Sequence, residues 1–357
     1  MATFHTIKIK DVYKETADCS VITFDIPEHL EEEFKFRQGQ HLTLRKILNG
    51  EDVRRTYSLW TSPYDNKWSV AVKQIPEGKF STFVNEQLKA GEALEVMAPG
   101  GTFGVDTQPD AQKTYAAFVA GSGITPVLSM IKAHLQAEPK SEFVLFYLNK
   151  TARSIIFKEE IEALKNKYLG RFQVFYFLDV EKRDIDLLTG RFSPEKLQKI
   201  NSYLLDFSEV NEVFLCGPEP MIFMLKDELI NLGMKKEQIH FELFVSGLSE
   251  EAVQKASEAM QQRVEGTQVT IIDGGKDFSF VMTEDFDNIL DGALAAGADL
   301  PFACKGGVCS TCKCQIKEGS VAMKVNYALE DDEVAKNYIL SCQAVPTSEK
   351  VVLDFDV

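Results

Sequence analysis

This chain of 357 residues has no run of about 18 consecutive apolar residues, so no membrane-spanning helix is expected from it. Residues 1–12 alternate polar and apolar types and lack the basic-then-apolar run of an export signal. These two absences lead to the expectation of a cytoplasmic protein. Positive charge is also short: 39 Lys and Arg face 54 Asp and Glu, a formal charge of −15 that disfavours nucleic acid and anionic membranes as partners. Cysteine is scarce everywhere but one place. Of the seven, Cys19 and Cys216 stand alone and the other five fall between residues 304 and 342. A secreted disulfide framework spreads paired cysteines through a small domain, so this clustering points to metal in a reducing compartment.

The length and the 45% hydrophobic content fit two or three packed domains. Residues 1–108 hold short β-type runs (20–24, 41–44, 55–59, 68–73, 94–97) with at most one helix near residues 81–88, the pattern of an antiparallel β-barrel or sandwich. Over residues 112–245 apolar strands (115–120, 143–147, 172–177, 212–215) alternate with helical stretches (126–135, 158–165), which predicts a parallel sheet covered on both faces. Residues 246–266 lack aromatics and read as a linker with some helical character. Residues 267–357 combine two strands, a helix over 288–296 and the cysteine cluster.

In that cluster four residues separate Cys304 from Cys309, two separate Cys309 from Cys312, and Cys342 follows much later. The spacing is that of a plant-type 2Fe-2S ferredoxin loop; zinc favours two tight pairs at opposite ends of a small fold. Gly306 and Gly307 are expected to take positive φ, so that backbone N–H groups curl toward the anionic sulfurs. Cys314 shares the face of Cys312 on an extended segment. It is either a small buried side chain or a substitute ligand.

Two further constellations carry chemistry. Arg55, Thr56, Tyr57 and Ser58 lie in a β-run whose alternation sets Arg55 and Tyr57 on one face and Thr56 and Ser58 on the other, offering a guanidinium, an aromatic plate and a hydroxyl to different parts of a ligand. Val72 and Lys73 follow, then Gly78, Lys79, Phe80, Ser81 and Thr82, with a helix expected to start at Ser81 and to offer its N-terminal amides to a pyrophosphate. The alternative is that Arg55 and Tyr57 are ordinary strand residues. Separately, the strand over 115–120 runs into Gly121, Ser122, Gly123, Ile124, Thr125 and Pro126 at a helix start, as dinucleotide phosphates require, although Pro126 replaces the third glycine of the usual fingerprint. Asn149, Lys150 and Arg153 follow the next strand, with no acid between residues 148 and 154 to read a ribose 2′-hydroxyl; Lys150 and Arg153 suit a 2′-phosphate, or are simply solvated.

These motifs resemble the ferredoxin-NADP reductase superfamily, with its Arg-x-Tyr-Ser and Gly-x-Gly-x-x-Pro signatures. Its later signature is matched by Cys216, Gly217 and Pro218. The resemblance implies an FAD-binding barrel, a Rossmann-like nicotinamide domain and a β-grasp ferredoxin domain. Arg55 would hold the FAD pyrophosphate, Tyr57 would pack on the isoalloxazine and Ser58 would donate near its N5. The segment from Gly78 to Thr82 would cradle phosphates. Thr125 and Cys216 would approach the nicotinamide, Phe244 or Phe241 would shield the flavin, and Glu242 would join proton or electron handling. Over nearly the whole chain the order of parts is similar to the reductase components of bacterial multicomponent oxygenases. That similarity implies an NAD(P)H-dependent oxidoreductase, NADPH favoured over NADH, with a di-iron oxygenase as electron acceptor. The alternatives are a steroid- or aromatic-ring hydroxylase as the acceptor, or a stand-alone ferredoxin or flavin reductase. The acidic run Glu330, Asp331, Asp332 and Glu333 suits a basic partner surface, though a solvated face explains it as well.

Overall fold

The computed structural model describes residues 3–244 and 250–356. Residue contacts divide the chain into two units: one comprises His5–Val53 and Tyr57–Phe244, the other the C-terminal residues together with Phe4 and Arg54–Thr56.

The N-terminal part is an antiparallel sheet of six strands: β1 (Phe4–Thr16), β2 (Cys19–Asp25), β3 (His41–Leu48), β4 (Glu51–Ser58), β5 (Trp68–Lys73) and β6 (Ala93–Gly100), in the order β4-β3-β6-β1-β2-β5. A bridge from Leu59, just past β4, to Val70 in β5 joins the two edges and closes the sheet into a barrel, which removes the unpaired edges an open sheet exposes. Ile7, Ile9, Ile22, Leu42, Leu44, Val70 and Val72 fill the interior, each fully buried. Helix α1 (Lys79–Glu86) caps one end by inserting Phe80, Phe83 and Val84 into that core.

The middle part is a parallel sheet of β7 (Thr114–Ala120), β8 (Glu142–Asn149), β9 (Phe172–Leu178), β10 (Glu212–Gly217) and β11 (Ile239–Leu243), in the order β11-β10-β7-β8-β9. Helices α2 (Ile124–Ala137), α3 (Lys158–Lys167), α4 (Pro194–Tyr203) and α5 (Glu219–Asn231) connect the strands. The strands are near-continuous apolar runs, as strands buried on both faces must be. Strand order reverses between β7 and β10, and in sheets of this kind the crevice beyond the strand ends at that reversal is where ligands bind. Barrel and parallel sheet are tied together near it: Ser129 Oγ donates to the Thr61 carbonyl at 2.6 Å, the Phe157 N–H donates to Glu15 at 2.8 Å, and Trp60 stacks on Phe157 at 4.4 Å.

In the C-terminal unit, helix α6 (Glu250–Gln261) is followed by β12 (Gln268–Asp273), β13 (Lys276–Val281), α7 (Ile289–Ala295), β14 (Lys313–Glu318), β15 (Val321–Met323), α8 (Asp331–Ala335), β16 (Tyr338–Leu340), β17 (Ala344–Pro346) and β18 (Lys350–Asp354). The main sheet runs β13-β12-β18-β14-β16, with β12 and β18 parallel at its centre and antiparallel neighbours outside, the β-grasp arrangement. The stretch read as a linker is helical over α6, and its end is bonded into this unit: the Val264 N–H reaches the Pro346 carbonyl at 2.9 Å and Arg263 Nη1 the Phe286 carbonyl at 2.7 Å. Residues 245–249 of that stretch lie outside the described residues. Among the described residues no helix is long and apolar enough to cross a membrane.

Candidate functional site

Parallel pairing of β10 with β11 sets Cys216 beside Glu242 at the strand ends. The Ser58 hydroxyl, at the end of β4, donates to Glu242 Oε2 at 3.3 Å, so the barrel and the parallel sheet meet at a carboxyl, a thiol and a hydroxyl. Burial pushes the Glu242 carboxyl up to about 8, while the Ser58 hydrogen bond pulls the other way. Burial first, and then the Glu242 charge, raise the fully buried Cys216 thiol well above the usual range, so it is held as the neutral thiol. The Phe244 N–H bonds to the Gly217 carbonyl at 3.4 Å, keeping the chain after β11 at the same place.

The crevice at the strand reversal is formed by glycine. A Cβ on Gly123 would lie 2.4 Å from the Cys216 carbonyl oxygen, and one on Gly217 would lie 2.6 Å from Met221 Cε and 3.1 Å from Ala120 Cβ. The loops after β7 and β10 therefore approach this closely only because neither position carries a side chain. Thr125 is buried, its hydroxyl donating to the Ser122 carbonyl at 3.0 Å, and Pro126 is buried in the first turn of α2. Tyr147, which the sequence places only at the end of an apolar strand, donates its hydroxyl to the Gly121 carbonyl at 2.9 Å and so pins the loop from the neighbouring strand. Gly121 itself has a φ of 55°, and a Cβ there would stand 4.0 Å from Lys73 Nζ. Asn149, at the end of β8, is 5% exposed, and its amide nitrogen has no hydrogen-bond partner among the described residues.

Around the expected phosphate cradle, helix α1 starts at Lys79, two residues earlier than the sequence predicts, with Gly78 as its N-cap and no acid in its first turn. Ser81 is buried; its hydroxyl accepts from the Ile75 N–H at 3.3 Å and donates to the Gly78 carbonyl at 3.2 Å, closing the loop before the helix. A Cβ on Gly78 would meet Ser81 Oγ at 2.3 Å. Arg55 is exposed, Thr56 and Tyr57 are half-buried, and the Tyr57 ring lies 5.9 Å from Phe80. Val72 and Phe80 sit in the barrel core, so any part they take in holding a cofactor falls to their backbone. Lys79 pairs with Glu51, Lys73 lies 3.5 Å from Asp18, and Thr82 is half-buried beside Gln74. A tight glycine loop before a helix with no acid in its first turn suits the phosphates of a flavin dinucleotide.

In the C-terminal unit the four predicted cysteines converge as two pairs, Cys304 with Cys309 and Cys312 with Cys342, each pair within hydrogen-bonding reach. Among the described residues no three His, Cys, Asp or Glu side chains converge on one ion position. Two pairs are what a cluster of two irons takes, each iron bound by two thiolates. The Gly306 N–H points at Cys304 Sγ, 3.3 Å away, and Gln343 Nε2 lies 3.5 Å from Cys342 Sγ. Gly307 takes a φ of 76° as expected, but Gly306 does not. The other left-handed turns of the loop fall on Lys305 and Ser310, at 50° and 51°. A Cβ on Gly307 would press on Val325 and Gln343 at 3.2 Å, whereas one on Gly306 would stand 3.8 Å from the Cys304 carbonyl oxygen. Cys314 is fully buried among the apolar residues of this unit, on β14 opposite Ile339, and burial holds its thiol far above the usual range. In the acidic run, Glu330 and Glu333 cap α8, Glu333 also pairs with Lys313, and Asp332 pairs with Lys336.

One residue of the nucleotide half was beyond sequence reading. Glu181, just past β9, accepts the Ala152 N–H at 3.0 Å and so brings a carboxylate into the loop where residues 148–154 carry none. Nothing local in the sequence marks it; the contact spans 29 positions.

Three family models match: "Oxidoreductase FAD-binding domain" over residues 6–104, "Oxidoreductase NAD-binding domain" over 118–227 and "2Fe-2S iron-sulfur cluster binding domain" over 271–347. The chain is 44% identical over 356 residues to a component of the 1,2-phenylacetyl-CoA epoxidase of Escherichia coli (strain K12), covering 100% of this chain and 99% of that one. It is 33% identical over 359 residues to the ferredoxin reductase component of 3-ketosteroid-9-alpha-monooxygenase of Mycobacterium tuberculosis (strain ATCC 25618 / H37Rv), covering 98% and 95%. Among solved structures, phthalate dioxygenase reductase matches with a TM-score of 0.59 at 23% identity, over 99% of this chain and 98% of that one, a likeness of fold.

Proposed function

Because this chain belongs to the family of oxygenase reductases that join FAD-, NAD- and 2Fe-2S-binding domains in one polypeptide, we propose that it draws electrons from NADPH for a phenylacetyl-CoA epoxidase. The observation that carries the redox reading is the meeting of Ser58, Cys216 and Glu242 in a chain that also holds two thiol pairs. When bound, FAD would supply a two-electron hydride acceptor able to give up electrons singly, and the 2Fe-2S cluster a one-electron carrier.

The chain's own residues have separable tasks. Gly78, Lys79, Ser81, Thr82 and Arg55 hold the FAD phosphates, with the amides of Phe80 and Val72 and the side chains of Thr56 and Lys73 beside them. Tyr57 supports the ring and Phe244 covers it. Ser58 donates toward the flavin, and Glu242, with a pKa of about 8, stays largely protonated at neutral pH and can exchange a proton with that hydroxyl. Gly121, Ser122, Gly123, Pro126, Gly217 and Pro218 shape the nucleotide crevice, Asn149 offers its unpartnered amide, and Thr125 and Cys216 border the nicotinamide. Cys304, Cys309, Cys312 and Cys342 bind the cluster.

NADPH is preferred on the strength of Lys150 and Arg153, exposed cations at the exit of β8 for which the structure gives no ion pair among the described residues. Identity of 44% over the whole chain supports the epoxidase as acceptor, and a di-iron centre in that partner is part of the proposal. Cytoplasmic location fits electron donation to such an enzyme. Reconstitution tests the assignment: the purified protein, NADPH and phenylacetyl-CoA epoxidase should consume substrate together. Turnover only with a steroid or aromatic-ring hydroxylase would move the acceptor, and reduction of free ferredoxin or flavin alone would favour a stand-alone reductase.

A further inference from the structure

We infer that Glu181 is a specificity-determining residue for the nicotinamide nucleotide, opposing the 2′-phosphate that Lys150 and Arg153 attract; this rests on the reading of those two cations given above. The backbone sets the geometry. Beyond the sheet the strand exits still run side by side, with the Asp179 N–H donating to the Asn149 carbonyl at 2.8 Å and the Val180 N–H to the Lys150 carbonyl at 3.1 Å. This pairing carries Glu181 against the next residues of the loop, where its carboxylate holds the Ala152 N–H at 3.0 Å, between Lys150 and Arg153 in sequence. The other acid at this exit, Asp179, is engaged elsewhere by Arg191 Nε at 3.0 Å. Glu181 is therefore the carboxylate committed to the loop.

In a dinucleotide domain the loop after the second strand reads the adenosine ribose: a carboxylate there accepts from a 2′-hydroxyl, and cations take up a 2′-phosphate. Here both kinds of group belong to one loop: Lys150 and Arg153 lie in it, and the Glu181 carboxylate is bonded to its Ala152 N–H. A 2′-phosphate arriving between Lys150 and Arg153 meets the Glu181 charge, whereas a 2′-hydroxyl meets a hydrogen-bond acceptor. The two effects push in opposite directions, so the preference for NADPH is smaller than the cations alone would set.

The test compares kcat/KM for NADPH and NADH in the holoprotein and in Glu181→Gln, which keeps an oxygen for the Ala152 N–H and removes the charge. The ratio of NADPH to NADH should rise about tenfold, through a lower KM for NADPH with kcat little changed. An unchanged ratio, or equal losses with both nucleotides, would overturn the inference and leave Glu181 as a pin for the loop. A Lys150→Ala/Arg153→Ala protein separates the two layers. If its ratio falls while that of Glu181→Gln stays put, the 2′-phosphate reading stands and the Glu181 inference fails. If the double variant leaves the ratio unmoved, the 2′-phosphate reading itself fails.

Discussion

Replacing Glu242 by Gln should change how stability depends on pH, by an amount the structure sets. An unfolded Glu titrates near 4.5, and burial raises Glu242 to about 8 in the folded chain. Below about 4.5 the group is neutral in both states and costs nothing. Between those values the folded state keeps a proton that the unfolded state has lost, so stability falls as pH rises, by at most about 1.4 kcal/mol per pH unit. The ceiling over the window is about 5 kcal/mol. The side chain retains some solvent contact, which screens the charge, so about 2–3 kcal/mol is the expected fall. Glu242→Gln cannot ionise and should show no such fall, overtaking the native protein as pH rises toward 8. Urea unfolding of the flavin and nucleotide unit, followed by flavin fluorescence at pH 5, 6, 7 and 8, measures the difference. Ser58→Ala should shift the native midpoint upward, because its hydroxyl favours the ionised carboxylate at 3.3 Å. A difference between native and Glu242→Gln proteins that stays constant with pH would refute the reasoning.

Four other substitutions probe separate parts. Gly123→Ala places a methyl 2.4 Å from the Cys216 carbonyl oxygen, so strain of about 1–3 kcal/mol and weakened binding of both nucleotides are expected, read by titration of flavin absorbance. Tyr147→Phe removes the bond to the Gly121 carbonyl, costing about 1 kcal/mol; Kd should rise about fivefold for NADPH and NADH alike, in contrast to the selective effect at Glu181. Cys314→Ser should keep the cluster's visible and paramagnetic spectra, since Cys314 is packed among apolar residues while the other four thiols form the pairs. Cys342→Ser should lose those spectra and still permit flavin reduction by NADPH.

Much of this was legible because the responsible signals are local. Cysteine spacing, glycines beside a strand end and the alternation through Arg55, Thr56, Tyr57 and Ser58 depend on a few neighbouring residues, and they indicated three domains in order. Boundaries were less legible. Helix α1 begins at Lys79 because the Ser81 hydroxyl closes the preceding loop, a contact that only the folded backbone displays. The positive φ expected at Gly306 falls on Lys305 instead, a backbone detail that residue type does not mark. Tyr147 reads as another apolar strand residue until its hydroxyl is seen at Gly121. Glu181 is invisible to any motif centred on residues 148–154, since parallel pairing of distant strands brings it there.

The most direct test of the central claim is an anaerobic titration of the purified protein with NADPH, followed by visible absorption and by electron paramagnetic resonance. A flavin taking two electrons and a cluster taking one should absorb about one and a half equivalents of NADPH, bleach both sets of bands and develop the signal of a reduced 2Fe-2S centre. Bleaching of flavin alone, with the cluster still oxidised at full reduction, would contradict the account.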